Sequence, residues 1–316
     1  MTRTGATEVA RRRRGNAVNG WLVIDKPAGI TSAQVVGRVR RAAVAAKAGH
    51  GGTLDPLATG ILPVAFGEAT KTISYVVDGA KLYRFTVKWG EQRNTDDAEG
   101  EVTAVSDVRP TAAEIRGVLD RFTGEIEQVP PTYSAIKISG RRAYALARAE
   151  CSVALPARPV RVDRIALLDY PDCDSAVFEV LAGKGVYMRA LARDLGQELG
   201  TLGHVTALRR VMVGPFSEEQ AISLEKVEHL AHSEQLVDYL LPVGVALADI
   251  PALTLTEAEA RRLQHGRPIA VLPVACRSPL TDLTRDAVIC AMARGRPVAL
   301  ARIKGGEIRP LRILNL

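Results

Sequence analysis

A short stretch near the N-terminus surrounds a single acidic residue with glycine, proline and apolar residues: Gly49-His50-Gly51-Gly52-Thr53-Leu54-Asp55-Pro56-Leu57-Ala58-Thr59-Gly60. It holds too much glycine and proline for a regular element and is too apolar for a solvated linker, so we predict a structured loop. A carboxylate held between Leu54 and Pro56 could serve as a covalent nucleophile. The alternative is an aspartate that only accepts hydrogen bonds from loop amides in an Asx-turn.

A nucleophilic aspartate must be ionised, so Asp55 needs a basic partner. The candidate is Arg189, in Lys184-Gly185-Val186-Tyr187-Met188-Arg189, where a glycine turn precedes a predicted helix. An arginine fork would orient the carboxylate and lower its pKa. A solvated arginine on a helix surface is the alternative, and spacing alone does not decide between them.

The residues on both sides of the loop predict regular elements. Gly20 to Asp25 is an apolar run that predicts a strand, and Thr31 can cap a helix that runs to about Lys47 with one packed face and one basic face. Residues 83 to 89 alternate apolar and polar side chains, and a polar turn follows. This pattern predicts a β-hairpin in which Glu101 to Val105 forms the returning strand.

Further along the chain, strands and helices are mixed without strict alternation. The predicted elements are a helix capped by Thr111 and Glu114 that runs to about Gly124, strands over Val160 to Leu168 and Ala176 to Leu181, and a helix over Tyr187 to Leu199. We therefore predict an α+β body with a mixed, largely antiparallel sheet flanked by helices. After Ile250, a helix over Thr256 to Leu263 and brief β-like runs predict a small β-barrel. The expected divisions are a basic flexible tail over 1–15, a body over 16–250 and a small domain over 251–316.

The charge of the chain is unevenly distributed. The 316 residues carry a net charge of +7, with +4 in residues 1–14, −3 in 15–250 and +6 in 251–316. The overall composition argues against a disordered, collagen-like or fibrous protein. The basic surplus indicates an anionic partner such as nucleic acid or a membrane surface, which would contact mainly the two ends of the chain.

Several kinds of site are not supported by the sequence. No apolar run approaches the roughly 18 residues of a membrane span, and the dispersed cysteines lack metal spacing, so we expect a cytoplasmic protein without structural zinc. The glycine-rich loop lacks the lysine of a phosphate-binding loop, and no dinucleotide-binding fingerprint is present. Asp96 and Asp97 could suggest a metal, but we interpret them as turn residues.

Together with five further blocks, the loop resembles the signature of bacterial tRNA pseudouridine-55 synthases, the tRNA pseudouridine synthase B family. The blocks are Asp25-Lys26-Pro27-Ala28-Gly29, Gly67-Glu68-Ala69-Thr70-Lys71, Lys81-Leu82-Tyr83-Arg84, Lys184-Gly185-Val186-Tyr187-Met188-Arg189 and His204-Val205-Thr206-Ala207-Leu208-Arg209-Arg210. Residues 255 to 316 resemble the PUA-type RNA-binding module of this family. Gly51 departs from the pattern, because many relatives carry threonine there.

The resemblance implies a pseudouridine-synthase fold and an isomerase that uses base flipping. Asp55 corresponds to the nucleophile, which attacks either ribose C1′ or base C6, and Arg189 to the arginine that pairs with it. Tyr83 corresponds to the tyrosine that stacks on the target base, Tyr187 and Leu208 to pocket-lining residues, and His50 to a residue that contacts the RNA loop. The implied partner is the T-arm of tRNA. No metal, organic cofactor or obligate protein partner is expected.

Two other functions stay open at the level of residues. One is an RNA chaperone that binds tRNA without chemistry, and the other is a carboxylate-dependent hydrolase that would release free uracil. Because the body is net negative, RNA recognition there should depend on a positioned basic groove. The expected members of this groove are Arg38, Arg41, Lys137, Arg141 and Arg142.

Overall fold

A computed structural model of the chain describes residues 15–133, 137–138, 141–142, 155–231, 233–278 and 287–316. The predicted basic tail, apart from residue 15, lies outside these residues. So do the side chains of three predicted groove residues, Lys137, Arg141 and Arg142.

Two main sheets carry most of the described structure. The strands are β1 (Gly20–Lys26), β2 (Ala48–His50), β3 (Thr59–Phe66), β4 (Lys81–Trp89), β5 (Glu91–Arg93), β6 (Val102–Val105), β7 (Gly124–Gln128), β8 (Lys137–Ile138), β9 (Arg141–Arg142), β10 (Arg158–Asp172), β11 (Ser175–Ala182), β12 (Gly203–Val213), β13 (Phe216–Ser217), β14 (Ile222–Ser223), β15 (Ala252–Thr254), β16 (Ile269–Ala270), β17 (Val288–Ala293), β18 (Arg296–Lys304) and β19 (Glu307–Ile313). The large sheet has the order β14-β1-β3-β12-β4-β11-β10-β7, with β2 on β3 and β13 on β12. Within it, β1–β14 and β3–β12 are parallel pairs and the others are antiparallel.

The helices are short and pack on the sheets. They are α1 (Ser32–Ala42), α2 (Ile73–Asp78), α3 (Ala112–Val118), α4 (Met188–Glu198), α5 (Leu224–His229), α6 (Glu257–Gln264) and α7 (Val271–Ala275). Five 3-10 segments accompany them, at Gly67–Thr72, Leu119–Phe122, Glu218–Gln220, Glu234–Tyr239 and Val243–Leu247. The mixed, largely antiparallel sheet flanked by helices confirms the predicted α+β class.

The C-terminal residues form a separate five-stranded sheet with the order β15-β17-β18-β19-β16. It has its own small core, which includes Leu263, Ile289 and Ile308. This arrangement is compatible with the predicted PUA-like module.

Two larger cores fill the body. The first contains Val35 and Val39 of α1, Leu191 of α4, and Phe85 and Leu208 of the sheet, so both helices cover the same face of that sheet. The second contains Trp21 and Phe216 from the body together with Cys290 and Leu300 from the C-terminal sheet and Leu314 directly after it. The two sheets therefore share a hydrophobic core.

Two predicted elements differ from the structure. The helix from Thr31 ends at Ala42, five residues short of the prediction, because Val44 has a φ of +47°, which an α-helix does not allow. The predicted hairpin over residues 83–105 was also wrong. Strand β4 pairs with β11 and β12, and residues 102–105 pair instead with β5.

Candidate active site

The loop between β2 and β3 is anchored on both sides of Asp55. Leu54 is buried in the body core, and the Ser32 hydroxyl binds its backbone, accepting from Leu54 N at 2.8 Å and donating to Leu54 O at 3.0 Å. On the other side, Ala58 N donates to Asp55 O at 3.1 Å. These contacts fix the backbone of Asp55 near the N-terminus of α1.

A buried guanidinium binds the carbonyl groups of the same loop. Arg210 on β12 is 1% exposed, and it donates from Nε to Ile61 O at 2.8 Å and from Nη2 to Gly52 O at 3.0 Å. The backbone approach is also close, since a Cβ on Gly60, where φ is +97°, would lie 2.2 Å from Arg210 O. Position 60 therefore requires glycine, and Arg210 holds the loop against β12.

The carboxylate of Asp55 faces a buried arginine. The distance from Arg189 Nε to Asp55 Oδ2 is 3.0 Å, and the exposed side-chain fractions are 4% and 33%. The two side chains therefore form an ion pair at hydrogen-bond distance. No backbone amide of the described loop donates to this carboxylate, in contrast with the Asx-turn alternative. The solvated-helix alternative for Arg189 is wrong.

A second carboxylate holds the same arginine from the other side. Asp97 Oδ2 lies 3.3 Å from Arg189 Nη1, and both side chains are 4% exposed. The remaining guanidinium contacts are hydrogen bonds to Thr95 O and Tyr133 O, each at 2.9 Å. Arg189 is therefore fixed by four groups, and Asp55 is the most exposed of its two carboxylate partners.

Burial raises the pKa of Asp55 above its ordinary value although a third of the side chain is exposed. Arg189 opposes this effect, Asp97 adds to it through like-charge repulsion, and Lys26 opposes it more weakly. The expectation of a lowered pKa considered the arginine alone, and desolvation outweighs it. The carboxylate is consequently less stabilised as an anion than an aspartate in water, which makes it a stronger base and nucleophile.

Lys26, at the end of β1, supplies another cation to the site. Its side chain is buried, and Nζ donates to Pro27 O at 2.8 Å and Pro56 O at 3.1 Å. Burial lowers the pKa of Lys26 to about 8, while Asp55 acts in the opposite direction. Its bond to Pro56 ties β1 to the residue that follows Asp55.

The predicted aromatic and apolar residues lie on the elements around this carboxylate. Tyr83 on β4 pairs in register with Arg210, and Leu208 pairs with Phe85, so both side chains share the sheet face that α4 covers. Tyr187 is the N-cap residue of α4, two positions before Arg189. Leu208 is buried, whereas Tyr83 and Tyr187 are partly exposed and accessible to a ligand.

Tyr187 is held by its own set of contacts. The Gln128 side chain bonds both backbone groups of Tyr187, accepting from its N at 2.8 Å and donating to its O at 3.2 Å. The Arg158 guanidinium lies 5.3 Å from the ring centroid, within the range of a cation–π interaction. The ring is thereby oriented at the start of α4.

His50 is the last residue of β2, directly before the loop, and forms no hydrogen bond with Asp55 among the described residues. Burial and the nearby Arg210 lower the pKa of His50, so the imidazole is neutral at pH 7. The glycine at position 51 also has a physical reason. A Cβ there would lie 2.7 Å from Val76 Cγ1, so a threonine would require Val76 to move.

Lys26, Asp97 and Arg210 were not identified from the sequence as residues of this site. A lysine at the end of an apolar run, directly before proline, was an available signal for Lys26. Asp97 was interpreted as a turn residue, and it does accept from Thr95 Oγ1 at 2.6 Å. Its contact with Arg189 joins positions too far apart in the chain for spacing to reveal.

Two classes of site are not found in the part of the chain that the structure describes. No group of three or more His, Cys, Asp or Glu side chains there is arranged to hold a metal ion. Likewise, no helix among those residues has both the length and the apolar character needed to cross a membrane.

Comparisons with known proteins agree on one family. Residues 40–188 match a model described as the TruB family pseudouridylate synthase N-terminal domain, and residues 189–248 match the tRNA pseudouridylate synthase B C-terminal domain. The tRNA pseudouridine synthase B of Rhodospirillum rubrum is 58% identical over 98% of this chain and 100% of its own. That of Gluconacetobacter diazotrophicus is 55% identical, covering 96% of this chain and all of its own. Among solved structures, a chain of a Cbf5-Nop10-Gar1 complex superposes with a TM-score of 0.75 at 26% identity, covering 94% of this chain and 85% of that one.

Proposed function

We propose that this chain, which belongs to the TruB family of tRNA pseudouridine synthases, converts the T-loop uridine at position 55 of tRNA to pseudouridine. The family is one of isomerases, and its members at 48–58% identity carry the name tRNA pseudouridine synthase B. The comparisons favour this enzyme over an RNA chaperone without chemistry. The T-loop as the target is our own inference from the resemblance.

Asp55 is the proposed nucleophile. The observation that carries this assignment is the 3.0 Å ion pair between a partly exposed Asp55 and a buried Arg189. Arg189 is too deeply buried to bind a phosphate, and its contacts with Asp97 and two carbonyl groups leave it one role toward substrate, which is to orient the Asp55 carboxylate. A raised pKa supports the same role, because a poorly solvated carboxylate is the better nucleophile.

The reaction moves one bond within one nucleotide. The C1′–N1 glycosidic bond breaks, the base rotates, and a C1′–C5 bond forms as C5 loses its proton and N1 gains one. Asp55 attacks either C1′ or C6 to begin this sequence, and its bond to the substrate breaks again as the product forms, which returns the free carboxylate. Because the proton lost from C5 is balanced by the one gained at N1 and no electrons are exchanged, the proposed reaction needs neither a metal ion nor an organic cofactor.

The substrate base must first leave the T-loop stack. Flipping a nucleotide out of a stack costs a few kcal/mol. Stacking on Tyr83 would return about 1–3 kcal/mol. We assign Tyr187 and Leu208 to the walls of the pocket that receives the base and His50 to the RNA loop around it. A neutral His50 can donate to and accept from RNA bases without adding charge.

The remaining assignments concern the partner and place of action. We propose that residues 251–316 form the PUA-like RNA-binding module, because they carry a net charge of +6 and form a sheet of their own. We further propose tRNA as the partner, the cytoplasm as the location, and no obligate protein partner.

The test is nucleotide-resolution mapping of pseudouridine in a tRNA transcript treated with the purified protein. Wild-type protein should modify position 55 alone, and Asp55→Asn should form no detectable product while still binding tRNA. Asp78→Asn is the matched control, because Asp78 is an exposed carboxylate paired with Lys184. Product formation by Asp55→Asn at the wild-type rate would overturn the assignment of the nucleophile, and free uracil would indicate hydrolysis.

A further inference from the structure

A concave surface lies beside the C-terminal end of α1, away from the candidate active site. This arginine cleft has a volume of about 630 Å³. Its lining includes three arginines, a single carboxylate, and the first residue that the structure describes. These residues are Arg38, Arg40, Arg41, Glu228 and Gly15.

The positive charge of the cleft is poorly neutralised. Arg38 and Glu228 lie 3.5 Å apart with about half of each side chain exposed, so their pair is a weak surface contact. Arg40 and Arg41 form no ion pair with any carboxylate of the described residues.

Helix stabilisation does not account for the whole arrangement. Basic residues in a last helical turn do interact favourably with the helix dipole, which would explain Arg40 and Arg41 alone. Arg38 lies one turn earlier, and all three arginines line one cleft. Three arginines with a single carboxylate among the lining residues indicate an anionic ligand.

Val44 provides an independent observation at the same place. It has a φ of +47°, which is rare for a β-branched residue, and it is 41% exposed. It lines both the arginine cleft and an adjacent apolar cavity of about 200 Å³ that includes Val18 and Leu240. Strained residues concentrate at functional sites, and here the strain holds an apolar side chain at the edge of a basic surface.

The cleft is placed so that a ligand of the active site can also contact it. Helix α1 packs on the sheet face that carries Leu208, and its N-terminal residue Ser32 binds Leu54 beside the nucleophile. Arg40 and Arg41 follow Ser32 by eight and nine residues, so they lie about 12–14 Å from it along the helix axis. A folded RNA readily covers such a distance.

We propose that the arginine cleft binds backbone phosphates of tRNA at nucleotides remote from the one that is modified. This inference rests on the proposed function, since it assigns a second contact to the same substrate. Guanidinium groups bind phosphate oxygens through two parallel hydrogen bonds, and Val44 is positioned to contact the apolar edge of a ribose. The cleft supplies affinity and register, and it takes no part in the chemistry.

The test compares the salt dependence of tRNA binding between matched arginine variants. The slope of log K against log salt concentration is negative, and each lost phosphate contact makes it shallower by about 0.7–0.9. Arg40→Gln and Arg41→Gln should each show this change, and the double variant about twice as much. Arg116→Gln is the control, because Arg116 is an exposed arginine on the separate helix α3, and its slope should equal that of the wild type.

Turnover separates this inference from the proposed function. At saturating tRNA the cleft variants should form pseudouridine at the wild-type rate, because none of them touches Asp55 or its partners. Unchanged affinity and slope in both variants would overturn the inference, as would an equal loss in Arg116→Gln. If the variants instead lost binding only to a poly-glutamate peptide, the cleft would be a site for acidic protein segments and the RNA assignment would be wrong. A wild-type protein that binds tRNA but forms no pseudouridine would refute the function while leaving the salt slopes interpretable.

Discussion

The buried ion pair between Arg189 and Asp97 makes a quantitative prediction about stability. In Arg189→Met, an apolar side chain of similar length replaces the guanidinium. Asp97, which is 4% exposed, then loses its cation, and the carbonyl groups of Thr95 and Tyr133 lose the hydrogen bonds that Arg189 donates to them. Removing one partner of a buried pair costs about 3–5 kcal/mol, chiefly because the other charge stays buried without compensation. At about 2 °C per kcal/mol for a chain of this length, Tm should fall by roughly 6–10 °C.

The double variant isolates the cause. Asp97→Asn alone should cost less, because Arg189 keeps Asp55 and the new amide can still accept from Thr95 and Glu99. Combining it with Arg189→Met removes the unpaired buried charge. The double variant should therefore be more stable than the sum of the two single losses predicts, by about 1–3 kcal/mol.

The assay is urea unfolding followed by circular dichroism on the four proteins of this cycle. Additivity within about 0.5 kcal/mol would refute the reasoning, since it would mean that the two groups do not stabilise each other. Both proteins with Arg189→Met should also lose turnover, because nothing then orients the Asp55 carboxylate.

Three further predictions use the same structure. Burial raises the pKa of Asp55 and the anion is the reactive form, so activity should fall as the pH decreases through a pKa above that of an ordinary aspartate. Asp97→Asn removes a like charge beside Asp55, so it should move this acid limb of the rate–pH profile to lower pH. Tyr83→Phe keeps the stacking face, so its Kd for tRNA should stay within about twofold of the wild type, and a large binding defect would argue against base stacking. Val44→Gly should raise the free energy of unfolding by up to about 1 kcal/mol by relieving the left-handed backbone, whereas Val102→Gly, at a similarly exposed strand position, should lower it.

Periodicity identified the elements of this fold more reliably than their partners. The alternation from Tyr83 to Trp89 correctly assigned one face of β4 to the core. It contained no information on which strands lie alongside, and β4 proved to be a central strand between β11 and β12. Pairing depends on contacts between distant segments, and a turn sequence such as residues 94–100 indicates only that the chain reverses.

The candidate site shows the same limit more sharply. The loop composition singled out Asp55, and its need for a cation suggested Arg189, 134 positions later, but spacing left that pairing undecided. Asp97 makes the turn contacts that its local sequence predicted, but the local sequence did not indicate its buried ion pair with Arg189. The net direction of the Asp55 pKa depends on burial, which no local pattern provides.

The hydrophobic core shared by the two sheets has a consequence for how the C-terminal residues can work. Trp21 and Phe216 of the body pack with Leu300 and Leu314, and Lys71 Nζ donates to Ile313 O at 2.8 Å. The C-terminal sheet is therefore not tethered by a flexible linker, and a ligand that contacts both sheets loses no linker entropy when the second contact forms. The distance between the binding surfaces of the two sheets is fixed before the ligand binds. Only RNAs whose shape matches that distance would therefore gain affinity from both contacts. Removing residues 251–316 would also uncover apolar core of the body, and the effect on RNA binding would then include a loss of folding.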